Sequence, residues 1–126
     1  MLYAMLCYDN EDAVCAWPKE KEAAVMADLA AVQQKLAAQG KLGPVARLMP
    51  TTAAVTLRKG AEAVVLDGPF AETKEQLLGF FVVDCASLEE AIETAREMAQ
   101  ACGSGGAFEI RPIAVLNPVP PSLQQG

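Results

Sequence analysis

At 126 residues and 13.3 kDa, the chain has the length of one domain, large enough to bury roughly two thirds of its unfolded surface without staples. Its 52% apolar and 21% charged residues fit a globular protein, and a formal charge of −6 opposes binding to a phosphate backbone. Histidine is absent, which removes the commonest general base near neutral pH and the commonest metal ligand.

Met1–Tyr8, apolar at nearly every position, predicts a strand, and Asp9–Trp17 an acidic loop. This start lacks a basic segment and is too short for a signal peptide or membrane span, so the expected location is cytoplasmic, with no membrane partner. Pro18 suits a first helical turn, and Glu20 and Glu22 suit its positive end. Val25, Leu29, Val32 and Leu36 then share one face of a helix that stops at Gly40. Leu42–Leu48, interrupted by Pro44 and closed by Pro50, predicts an edge strand. Ala53–Arg58 and Glu62–Leu66 predict a hairpin through Lys59-Gly60-Ala61.

The segment 67–85 is the most informative. Asp67-Gly68-Pro69 ends a strand in a tight turn, because Gly68 tolerates positive φ and Pro69 fixes its own. Thr73 and Gln76 have capping-box spacing, which predicts one helical turn stopped by Gly79; Phe80–Val83 predicts a buried strand. Ser87 and Glu90 form a second capping box. Leu88, Ala91, Ile92, Ala95, Met98 and Cys102 line one face of the helix beyond it. Gly103-Ser104-Gly105-Gly106 predicts a flexible exit and Ala107–Leu116 the last strand. Residues 1–116 therefore form the expected domain, with a proline-containing tail over 117–126. The element order predicts an α+β fold: a ferredoxin-like antiparallel sheet, helices Pro18–Gln39 and Ser87–Ala101 on one face, and an added hairpin. Leu2–Leu6 and Phe80–Val83 do not alternate apolar with polar, so both sheet faces call for cover. A second copy packed face to face, as a homodimer, is the expected solution, and a layer from hairpin and tail the alternative.

Residues 67–85, Asp-Gly-Pro-Phe-Ala-Glu-Thr-Lys-Glu-Gln-Leu-Leu-Gly-Phe-Phe-Val-Val-Asp-Cys, closely resemble the signature of the DGPF-domain, or YCII-related, proteins. Met1–Leu6 and Phe108–Ile113 resemble that family's opening and closing strands. The resemblance implies a dimeric α+β barrel. Relatives carry a His early in the first helix and an Asp just beyond the second; here the corresponding neighbourhoods hold Asp28 and Cys102-Gly103. Leu78-Gly79 stands where Gly-Gly is usual. Any His–Asp acid–base pair of relatives is therefore not inherited. Association of similar proteins with alternative sigma factors adds a regulatory protein as an expected partner.

The candidate site centres on Asp67, with Glu72, Thr73, Lys74 and Glu75 beside it and Arg111 as a cationic partner. Carboxylates next to Lys or Arg can support proton transfer or clamp an anionic group at a helix N-terminus. Phe70 and one of Phe80 or Phe81 would supply an apolar wall; both phenylalanines cannot, since neighbours on a strand face opposite sides. The structural alternative is that Asp67 caps its own turn and Lys74 is solvated. Asp9, Glu11 and Glu20 have calcium-loop spacing, but Val14 stands at the obligatory Gly. The glycine run follows a helix instead of opening one, so it cradles no phosphate. Cys7, Cys15, Cys85 and Cys102 lack C-x-x-C spacing and read as reduced thiols, three of them in or beside apolar runs. No metal, no cofactor and no nucleic acid are expected. Two functions remain: a module binding a small organic ligand or a regulatory partner, and a cofactor-free enzyme catalysing proton transfer, elimination or isomerisation with carboxylates.

Overall fold

The apolar opening segment forms strand β1 (Leu2–Asp9). A computed structural model describes residues 1–103 and 105–123; Ser104 of the expected exit and 124–126 of the expected tail lie outside the described residues. Helices α1 (Glu11–Cys15) and α2 (Lys19–Ala38) follow, then strand β2 (Leu42–Arg47). A hairpin of β3 (Val55–Arg58) and β4 (Val64–Asp67) leads to the long strand β5 (Gln76–Asp84). Helix α3 (Leu88–Cys102) and strand β6 (Ala107–Pro112) complete the domain. The four-stranded sheet has the order β2-β5-β1-β6, antiparallel throughout, and the hairpin is a separate two-stranded sheet. This is the ferredoxin-like α+β arrangement, with β2 at an edge as its prolines require.

Register explains the core. β1 pairs with β5 so that Tyr3 faces Val83 and Met5 faces Phe81 across the ladder. These four side chains are buried together with Leu36 of α2 and Ala91, Ala95 and Met98 of α3, which places both helices on one face. Leu29 and Val32 extend the α2 contact as their spacing predicts. On α3 the apolar stripe is narrower than expected, because Leu88 and Ile92 lie on its exposed flank. Ser87 caps α3 by accepting from the Glu90 N–H at 3.2 Å, and Glu90 answers by accepting from Ala86 N at 3.2 Å.

Several local expectations are corrected. Asp9–Trp17 is not a plain loop: the Asn10 side chain accepts from Ala13 N at 2.9 Å, and Glu11 and Asp12 occupy the first turn of α1. Thr73 and Gln76 start no helix, because other partners take their polar groups. The Thr73 hydroxyl donates to the Glu75 carbonyl, and Gln76 Nε2 donates to the Thr73 carbonyl at 2.6 Å. Gln76 Oε1 accepts from Glu11 N at 3.0 Å, so Gln76 satisfies an orphan donor of α1 while its own backbone begins β5. Gly79 is therefore inside a strand. A Cβ there would lie 2.3 Å from the Ala46 carbonyl oxygen, so only glycine admits the backbone of β2 at this point. Beside it Leu78 is an extra residue, a bulge, since Cys7 pairs with Gly79 and Tyr8 with Leu77. The last strand stops at Pro112, short of Leu116.

The face away from the helices carries Val82, which is nevertheless only 3% exposed. The tail reaches it: a 3-10 turn at Pro121–Leu123 seats the buried Leu123 against Gly43 and Val82. Part of the second face is thus covered from within the chain, over the β2 side.

Two stability outcomes follow from these contacts. Gly79→Ala should cost about 1–3 kcal/mol in denaturant unfolding, as overpacking against a backbone that cannot retreat. Lys41 Nζ donates to Glu90 Oε1 at 2.6 Å, tying the entry of β2 to α3. That bond holds the Glu90 carboxyl below its ordinary range, so its stabilisation is present above the free carboxylate pKa and is lost as pH falls through the lower folded value. Glu90→Gln should melt slightly below the parent at neutral pH, with the gap closing as pH falls below about 4 in a thermal melt series.

Candidate functional site

Helix α2 is tight against the core at its C-terminal end, where Leu36 is buried, and stands off toward its N-terminus. Between that half of α2 and the sheet lies a cleft of about 390 Å³. Trp17, Val25, Met26, Leu29 and Ala30 form its upper side, and Val45, Leu78, Gly79, Phe81 and Phe108 its floor. Cys7 of β1 and Met98 and Cys102 of α3 close the back. The bulge at Leu78 and the close approach at Gly79 shape the floor, and Phe81 meets Phe108 edge to face at 5.6 Å and 76°.

Polar groups stand at the rim. Arg47 pairs with Glu22 at 3.6 Å and its Nη1 donates to the Met26 sulfur at 3.5 Å. Asp9 and Gln33 also border the cleft. Lys21 Nζ lies 4.5 Å from the centre of the Trp17 ring on the solvent side, a cation–π contact. At the back, Cys7 and Cys102 are free thiols that both border the cleft. Interaction with the Cys102 thiol pushes the Cys7 pKa far up, with burial acting the same way. The same interaction lowers the Cys102 pKa against the effect of burial. Among the described residues, no group of three or more His, Cys, Asp or Glu gathers as a metal site, and no helix is long and apolar enough to cross a membrane.

The expected site residues are spread more widely than the cleft. Asp67 ends β4 opposite Val55 and is exposed. Its turn is fastened by Gly68 N donating to the Ala54 carbonyl at 2.7 Å and the Thr56 hydroxyl donating to the Gly68 carbonyl at 2.7 Å. Phe70 is 77% exposed, and Glu72, Thr73, Lys74 and Glu75 are exposed after it. The Lys74 carbonyl accepts from Asn10 Nδ2 at 3.4 Å. Arg111 is exposed on β6, the edge strand farthest from β2. Only Phe80 and Phe81 of this set border the cleft, and of the two it is Phe81 whose side chain joins the helix-side core. Trp17, Met26, Arg47, Cys7 and Cys102 were not singled out as site residues by the sequence. Their one legible signal is the alanine-rich sequence of α2, where Ala30 borders space that a larger side chain would fill.

Comparison with known proteins places the chain in a family. The YCII-related domain matches residues 1–117. An uncharacterised protein of Rhizobium meliloti (strain 1021) is 60% identical over 119 residues, covering 94% of this chain and 96% of the relative. With nearly the whole length matched at that identity, and with the signature strand, sheet order and paired helices in place, the chain belongs to the YCII-related family.

Proposed function

We propose that this protein binds a small, largely apolar organic molecule in the cleft between α2 and the sheet. The observation that carries the reading is the distribution of chemistry along that cleft: mainly apolar side chains and sulfur in the lining, and the exposed Arg47–Glu22 pair at its edge. Such a cavity favours a hydrocarbon body with one polar end, the body gaining from burial and the end oriented by charge. Arg47 is the group for an anionic end, exchanging its ion pair with Glu22 for one with the ligand. Binding is favoured over acid–base turnover, because the lining is mainly apolar and the Glu22 carboxylate is already ion-paired with Arg47. A regulatory partner would then read whether the cleft is filled.

We also propose that the working unit is a homodimer. The β3–β4 hairpin is a two-stranded ribbon, and such ribbons are marginal alone in water. Val55, Leu57, Val64, Val65 and Leu66 are each about half exposed or more, with Val65 at 64%. Leu6 and Phe80 on the uncovered part of the sheet are half-buried. A second copy covers both surfaces, whereas Leu123 reaches only the β2 side.

Trp17 is the single tryptophan and borders the cleft, so its fluorescence reports occupancy. An anilinonaphthalene sulfonate should quench it saturably, one molecule per chain. Ala30→Phe and Arg47→Gln should each weaken that binding about tenfold, ~1.4 kcal/mol. Asp67→Asn should leave it unchanged. Weakened binding by the Asp67 variant, with none lost in the folded Ala30 variant, would move the site to the turn after β4. Light scattering at micromolar concentration should give twice the chain mass, and Leu57→Asp with Val65→Asp should return it to that of one chain.

A further inference from the structure

A second cavity, of about 290 Å³, adjoins the cleft where β2 ends. Val14, Arg47 and Leu78 border both spaces, whereas Cys15, Leu48 and Met49 border the second and not the first. The walls of this cavity are fastened to one another. Leu48 N donates to the Leu78 carbonyl at 2.9 Å. The Glu11 carboxylate of α1 accepts from Thr51 N at 3.0 Å and from the Thr51 hydroxyl. Glu11 is thereby occupied, and the rest of the lining, Arg47 apart, is apolar chain and sulfur. Leu48 and Met49 are nonetheless exposed, Met49 at 78%, as is Cys15. Arg47 leaves β2 on the same face as Val45, whose ladder partner is the core residue Phe81, and reaches Glu22 and Met26 of α2. One cation thus borders two apolar spaces at once.

We propose that the two spaces together hold a carboxylic acid branched at the carbon beside its carboxylate. The longer hydrocarbon arm lies in the cleft, the shorter against Cys15, Leu48 and Met49, and the carboxylate on Arg47. This rests on the cleft being a ligand site, as the preceding reading holds, and names the class of molecule it takes. A straight-chain acid anchored on Arg47 can lay its chain in one space and leaves the other to water. A branch beside the carboxylate begins where the charge is held, so both arms leave water and each gains from burial. The second cavity is the smaller, about 290 against 390 Å³, which assigns it the shorter arm. Arg47 meets the carboxylate by releasing Glu22, an exposed partner whose loss costs little. Glu11 does not compete for Arg47, since both of its oxygens are engaged by Thr51.

The isomers 2-butyloctanoate and dodecanoate have the same hydrocarbon content, so they separate shape from apolar area. Titrated against Trp17 fluorescence in the whole chain, the branched isomer should bind about tenfold more tightly. At saturation it should slow alkylation of Cys15 by iodoacetamide several-fold, read by peptide mass, whereas saturating dodecanoate should leave that rate unchanged. Cys15→Phe, a change at an exposed position that the fold does not depend on, should abolish the preference for the branched isomer. Equal affinities, or a Cys15 alkylation rate that the branched isomer does not alter, would overturn the second arm. So would a Cys15 that resists iodoacetamide in the ligand-free protein, because a second copy would then cover this surface. The naphthalene sulfonate titration, run on the same protein, separates the two readings. Probe binding with no preference between the isomers removes the second arm and leaves the cleft; no binding of probe or of either acid removes both.

Discussion

The antiparallel ladder between β1 and β5 fixes the rest of the molecule, because it sets Tyr3 against Val83 and Met5 against Phe81 on one face. Burial of side chains of this size contributes roughly 1.5–3 kcal/mol each, and the four together form the surface on which both helices rest. Leu36 and Met98 are held by the same surface, so the separation of α2 from the sheet follows from how far the ladder extends. The cleft opens beneath the part of α2 that carries Val25, Met26 and Leu29, over a floor that includes both the bulge residue Leu78 and the regularly paired Phe81. The cavity is thus a by-product of strand geometry as much as of side-chain size.

Most of this fold was legible in the sequence. The α2 stripe of Leu29, Val32 and Leu36 and the Ser87–Glu90 cap each pointed to one answer, and packing agreed with them. The failures are local and share a cause. Asn10 and Gln76 act on each other's neighbourhoods across 64 residues or more, Asn10 reaching the Lys74 carbonyl and Gln76 the N–H of Glu11. Capping-box spacing at Thr73 read correctly as polar groups seeking backbone partners. The partners were in another element, which spacing within a single segment cannot show. Gly79 misled for a similar reason: its absent side chain answers a neighbouring strand, a tertiary fact.

The site was less legible than the fold. The signature after β4 drew attention because turn chemistry is readable residue by residue, whereas a cleft is built from residues far apart that are individually ordinary. Cys7 and Cys102, or Trp17 and Phe108, have no local pattern in common. What brings them together is the sheet order β2-β5-β1-β6 and the tilt of one helix, and only the phenylalanines of β5 belong to both the signature and the cavity.

The extra residue at Leu78 divides β5 into two phases. Upstream of it, side chains at Gln76 and Leu77 take the faces set by Asp9 and Tyr8; downstream, Gly79 resumes with Cys7, and the alternation has slipped by one. A strand with such a dislocation tolerates changes of length unequally. Loss of Leu78 alone would restore regular pairing and leave both segments of β5 on the faces that β1 sets. Loss of two would also remove a paired residue and turn everything upstream, the signature loop included, to the opposite side of the sheet. Length variation among related chains should therefore be limited here to the single bulge residue, across the junction between the turn and the buried run.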